Sequence, residues 1–143
     1  MSPEVDQILM LSASQVMGTL APLLPETYAQ GQAALLSFMM ILSAQEYERS
    51  ADIRANENAD MRALFRDLAP RVDDKALRAQ VETAGGTKDE SLTISALNAS
   101  NAELRRVLIA LQIHVEDKND REAHARVWEV LKRAAARRVV KLA

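Results

Sequence analysis

Five polar residues, Glu46, Tyr47, Ser50, Arg54 and Glu57, interrupt an otherwise apolar helix face, and their types suit recognition of a polar ligand. Ser50 and Arg54 are four apart and Arg54 and Glu57 three apart, so their side chains meet on one side of a helix. Ser100 and Asn101, on a later helix, fall beside a leucine stripe and can face the same layer. Three physical accounts apply. The plainest is a solvated sector where a long helix outruns its neighbours. The second is a buried polar layer that fixes helix register. The third is a binding site for a polar ligand or for a partner's side chains.

Metal and nucleophile chemistry find little support. A di-metal carboxylate centre in a helix bundle needs Glu-x-x-His pairs on two helices. Here Leu111 stands three before His114 and Arg121 three before His124, so neither histidine belongs to such a pair. The chain has no cysteine, which excludes thiol redox chemistry. No Gly-x-Ser-x-Gly elbow occurs, and Gly85-Gly86 lacks the downstream Gly-Lys-Ser/Thr of a phosphate loop. No catalytic, metal or cofactor-binding residue is assigned, and both histidines are expected at the surface or in structural hydrogen bonds.

Trp128 lies toward the edge of the last helix's inward face; core packing is the expectation, with an interface anchor as the alternative. Lys132, Arg133, Arg137, Arg138 and Lys141 read as a solvated, cation-rich helix end favoured by the macrodipole rather than as a nucleic-acid patch. The formal net charge of −2 agrees, since it exerts no long-range pull on polyanions. The six methionines are expected to fill core, although exposed ones would give a deformable surface for helical partners.

Long helices must position these residues. Aromatics are 3% of residues against 48% hydrophobics, so the core has to be aliphatic, as in helix bundles. Pro and Gly fall in clusters and mark four to five helices. Ser2-Pro3-Glu4 opens the first, residues 3–20, with Val5, Ile8, Leu9, Val16 and Leu20 available for burial. Pro25-Glu26 opens the second, which meets no breaker before Pro70 and so runs over about 26–69, roughly 60 Å at the α-helical rise. A third spans Lys75 to Ala84, closed by Gly85-Gly86. A fourth starts near Thr87-Lys88-Asp89-Glu90 and runs to about Glu116, with Leu97, Leu104, Leu108, Leu111 and Val115 on one face. The last covers Arg121 to Leu142, with Ala123, Val127, Leu131, Ala134 and Leu142 inward.

The expected fold is therefore all-α, one antiparallel bundle over 1–143; the alternative is an elongated form in which the overhang of the second helix needs its own partner, which homodimerisation could supply. The run Ala33 to Leu42 is about half the length of a membrane span and reads as a buried helix segment, so no membrane insertion is expected. The acidic N-terminus is unlike a secretory signal, which points to a cytoplasmic location.

Gln45-Glu46-Tyr47-Glu48-Arg49, Leu64-Phe65-Arg66-Asp67-Leu68 and Leu97-Asn98-Ala99-Ser100-Asn101-Ala102-Glu103-Leu104 carry a resemblance, over about residues 30–115, to the flagellar export chaperones for hook-associated proteins. That resemblance implies a cytoplasmic bundle that holds a partner before secretion. The chain departs from the pattern by continuing into a full last helix with Trp128, where those chaperones tend toward a flexible partner-binding tail, so no functional residue is carried over. From the residues themselves, the expected function is a non-enzymatic interaction module, an adaptor or export chaperone, that takes an amphipathic helix of another protein into a groove lined by the second and fourth helices. The alternatives are a small polar-ligand-binding bundle and a structural homo-oligomer.

Overall fold

The computed structural model describes residues 4–140, and among them every regular element is helical. The chain is all-α, with five α-helices: α1 (Val5–Gln15), α2 (Thr27–Leu68), α3 (Lys75–Gly86), α4 (Ile94–Asp117) and α5 (Arg121–Arg137). The Ser2-Pro3 start signal, Lys141 and Leu142 lie outside the described residues. The Cα positions group into two compact units, one ending at Ser50 and taking in Val140, the other Ala51–Val139, so α2 contributes to both.

In the first unit the helix expected over 3–20 changes character. After Gln15 one π-helical turn, Val16–Leu20, leads into a 3-10 turn, Ala21–Leu23. Pro22 is the cause: it has no N–H to donate, and in a regular α-helix its ring would meet the carbonyl of Gly18, four residues before. The buried positions here are small, Ala13, Ala21, Ser37, Ala44 and Ser50. Ser37 also returns its hydroxyl to the Ala33 carbonyl at 3.0 Å, satisfying its only donor within the helix.

Most large apolar side chains of this unit face outward, and the rest, Leu9, Val16, Leu24, Met40, Ile41 and Leu42, are half-buried. Val5, Ile8 and Leu20, expected inside, are exposed, and so are Leu35, Phe38 and Met39 in the run expected to be a buried segment. Met10, Met17 and Met39 are likewise at the surface, whereas Met61 fills core. Periodicity alone cannot tell which of two apolar faces turns inward; here the small-residue face does. Among the described residues, no helix is long and apolar enough to cross a membrane.

The second unit is a helical bundle in which α5 runs antiparallel to α2. Ion pairs fix the directions: Asp67 meets Arg126 near one end of α5, Asp60 meets Arg137 and Glu57 meets Arg138 near the other. Phe65, Leu68, Val81, Leu97, Leu111 and Val127 are almost wholly buried at its centre. The α4 stripe has a sixth member, Asn101, which fills the gap of seven between Leu97 and Leu104 and completes a run at alternating intervals of four and three.

Local chemistry sets the ends. The Asp74 side chain accepts from the Leu77 N–H and caps α3, and Asp120 does the same for Ala123 at the start of α5. Between α4 and α5, Asn119 takes a positive φ of 52°, and Asp120 N–H reaches the Val115 carbonyl at 3.1 Å, a Schellman closure with Asn in the left-handed position. α3 runs two residues further than expected and includes Gly85, where any side chain would press on Arg66 and Phe65. The fourth helix starts later than expected, at Ile94 after Thr93, because Thr87 and Asp89 are held by side chains of α2 instead of forming a first turn.

Candidate functional site

The polar residues singled out in the sequence divide between the two units. Glu46 and Tyr47 are exposed and Ser50 is buried, all in the first unit; Arg54 is half-buried, and Glu57 and Asn101 are buried in the second. Within the second unit Arg54 donates from Nε to Asn98 Oδ1. The sector is thus solvated at Tyr47 and packed at Glu57.

Glu57 is the centre of the packed part, with its side chain 2% exposed. Arg138 donates to it from Nε and Nη2 at 2.6 and 2.7 Å, one bond to each carboxylate oxygen. Asn101 Nδ2 donates to Glu57 Oε2 at 3.3 Å and to Asn58 Oδ1 at 2.9 Å, and Asn101 Oδ1 accepts from Arg105 Nε at 2.8 Å. Burial by itself would raise the Glu57 pKa. The hydrogen bonds and charge of Arg138, with help from Arg105, outweigh it and hold the carboxyl below its ordinary value.

A second cluster adjoins the first through Asn58, whose Nδ2 reaches Asp89 Oδ1 at 3.0 Å and the Leu97 carbonyl at 3.3 Å. Arg62, also buried, donates to Thr87 Oγ1, to Asp89 Oδ1 and to Ser100 Oγ at 3.0, 2.8 and 2.7 Å. The Arg62 hydrogen bond is the main reason the Asp89 carboxyl titrates below its ordinary value; burial opposes it, and Ser100 and Asn58 add to it. Asn58, Arg62, Thr87 and Asp89 were not foreseen. Their signal in the sequence is weak, because the partners are 25 to 31 residues apart.

This network is saturated. Among the described residues no buried side-chain nitrogen or oxygen lacks a partner. The void beside Glu57, bounded also by Met61, Leu108 and Val130, measures about 20 Å³, room for one water molecule. Its buried polar atoms are all engaged within the protein, the kind of arrangement that fixes helix register.

The cationic end of α5 takes part as well. Arg133 and Arg137 both reach Asp60, and Arg126 approaches Asp67, so these arginines join Arg138 in pairing with α2 rather than forming a solvated helix end. Lys132 pairs with Glu129 on its own helix. Cations available for a phosphate backbone are correspondingly few on this helix.

Trp128 is 47% exposed, against the expectation of core packing, because the inward positions of α5 are taken by Ala123, Val127 and Val130. Its Nε1 donates to His124 Nε2 at 3.1 Å, with the rings edge to face. His114 Nε2 lies 3.2 Å from Asp73 Oδ1, and Lys118 holds the other oxygen of that carboxylate. Both histidines are therefore engaged in local contacts. Among the described residues no group of three or more His, Asp or Glu side chains is placed to hold a metal ion. An open groove of about 500 Å³ runs between the end of α3 and α4, lined by Ala84, Ala96, Ala99 and Val107 with Lys88 and Glu103 among the polar residues. In comparisons with protein-family models, curated proteins and solved structures, the chain matches none.

Proposed function

We propose that this protein is a non-enzymatic helical interaction module, of the adaptor or export-chaperone kind, in which the first unit presents the binding surface. One observation carries the reading. Residues 7–45 contain a single charged side chain, Glu26, and none of the large apolar residues of that stretch is buried: most are exposed, and Leu9, Val16, Leu24, Met40, Ile41 and Leu42 are half-buried. Leu23, Leu35, Phe38 and Met39 are 76%, 59%, 43% and 56% exposed in this one unit, and apolar surface of that kind works by being covered. Glu57 and Asn101, the buried members of the polar set that could have served a small ligand, are engaged by the bundle's own side chains, which favours a macromolecular partner over a polar ligand.

The test is recovery of the tagged chain, after crosslinking, from cells that make it, beside a variant carrying Leu35→Glu and Phe38→Glu. The expected result is a stoichiometric protein component, whether this chain or another, that the variant loses. Recovery of no stoichiometric protein with either form would overturn the reading.

A further inference from the structure

Along α2, Tyr28, Gln32, Leu35, Met39, Leu42 and Glu46 recur at alternating intervals of four and three, the spacing that keeps one helix face in register with a partner helix. α4 uses the same spacing inward, from Leu97 to Val115. On α2 it points outward: Tyr28, Leu35 and Met39 are 75%, 59% and 56% exposed, and Leu42 is half-buried. Gln32 Nε2 donates to the Tyr28 hydroxyl at 3.1 Å, which orders the start of the stripe.

The occupant follows from charge. The stripe is uncharged from Tyr28 to Leu42, so a charged partner surface would strand its own ions against it. A bilayer is a poor match, because the sequence has no Lys, Arg or His before Arg49 and carries five carboxylates there, Glu4, Asp6, Glu26, Glu46 and Glu48. A second copy supplies an equally long, equally uncharged stripe. We infer that the protein self-associates through a two-fold pairing of the 28–46 stripe of α2 with the same stripe of a second copy, the two helices antiparallel.

Direction is set by the ends of the stripe. Parallel pairing would stack Glu46 on Glu46, whereas antiparallel pairing about the middle of the stripe sets Leu35 against Met39 twice and Glu46 beside Tyr28. The inference rests on the proposed interaction role of the first unit and names its partner.

Sedimentation equilibrium over a range of concentrations tests it. The expected mass is twice 15.8 kDa for the natural chain and for Ile109→Glu, an exposed apolar position elsewhere, and 15.8 kDa for Leu35→Glu/Met39→Glu with its helical circular dichroism retained. Because the chain has no cysteine, single cysteines report direction. Mixing Tyr28→Cys with Glu46→Cys chains is expected to give the mixed disulfide, and Tyr28→Cys alone none. A disulfide in Tyr28→Cys alone would overturn the antiparallel pairing. A natural chain at 15.8 kDa throughout would overturn self-association. If the Leu35→Glu chain nevertheless loses a different protein from cell extracts, the interaction role stands without this occupant. If that substitution changes neither mass nor recovered proteins, both readings fall.

Discussion

Arg138 grips Glu57 with two hydrogen bonds of 2.6 and 2.7 Å across 81 residues of sequence, joining the end of α5 to the middle of α2. The carboxylate is buried while the guanidinium is about half exposed, so the pair shields the carboxylate's charge at the edge of the bundle. Its geometry is the bidentate fork that arginine, and not lysine, can offer a carboxylate.

Replacing Arg138 with Met leaves the Glu57 carboxylate buried with only the 3.5 Å approach of Arg105 and the amide of Asn101. Complete loss of a buried partner costs several kcal/mol, and the half-exposed arginine here reduces that to about 1–3 kcal/mol. Urea denaturation of Arg138→Met against the natural chain reads the difference. An unchanged midpoint would show that Arg105 suffices.

Glu57 and Asp89 both have folded-state pKa values below their ordinary ones. Each therefore contributes stability that is present above the unfolded carboxylate range, about pH 4, and is lost as the pH falls through the lower folded value. Urea midpoints should be flat from pH 7 to about pH 5 and decline below that. The decline should be shallower in Asp89→Asn, which removes one of the linked protons; equal slopes would place the acid sensitivity elsewhere.

Arg62 ties the irregular segment 87–93 to α2 through Thr87 and Asp89, and reaches Ser100 on α4. In Arg62→Met these groups lose their donor, and destabilisation of about 2–4 kcal/mol is expected. Amide hydrogen exchange should rise most at residues 87–93 and at the first turn of α4. A uniform rise over the bundle would deny the segment its dependence on Arg62.

Two glycines should respond in opposite directions. A Cβ on Gly85 would lie 3.1 Å from Arg66 Cγ and 3.3 Å from both the Arg66 backbone N and Phe65 Cβ, so Gly85→Ala is expected to lower stability by about 1–3 kcal/mol. Gly31, inside α2, has nothing within 4 Å of that position, and Gly31→Ala should raise stability by about 0.5–1 kcal/mol through helix propensity. Thermal melts of the two variants check both signs.

How much of this was legible in the sequence depends on the range of the interaction. Local signals held well: the proline-bounded α2, expected over about 26–69 and observed as Thr27–Leu68, and the inward stripe of α4 follow from hydrogen-bond supply and from period. Glu57 and Asn101 could be marked because each interrupts such a stripe. Their partners could not, since Arg138 reads locally as one of several cations at a helix end, and Arg62 and Asp89 as ordinary surface charges.

The sequence by itself determined the helices, their aliphatic faces and the positions where polar residues break them, because backbone hydrogen bonding and side-chain period act within a few residues. Only the tertiary structure decided which face turned inward. In the first unit both faces of α2 are apolar, and close helix packing selects the small side chains of Ser37 and Ala44 for burial, leaving Leu35 and Met39 outside. In the second unit the α5 arginines found carboxylates on α2 only because the bundle brought together charges that lie 59 to 81 residues apart.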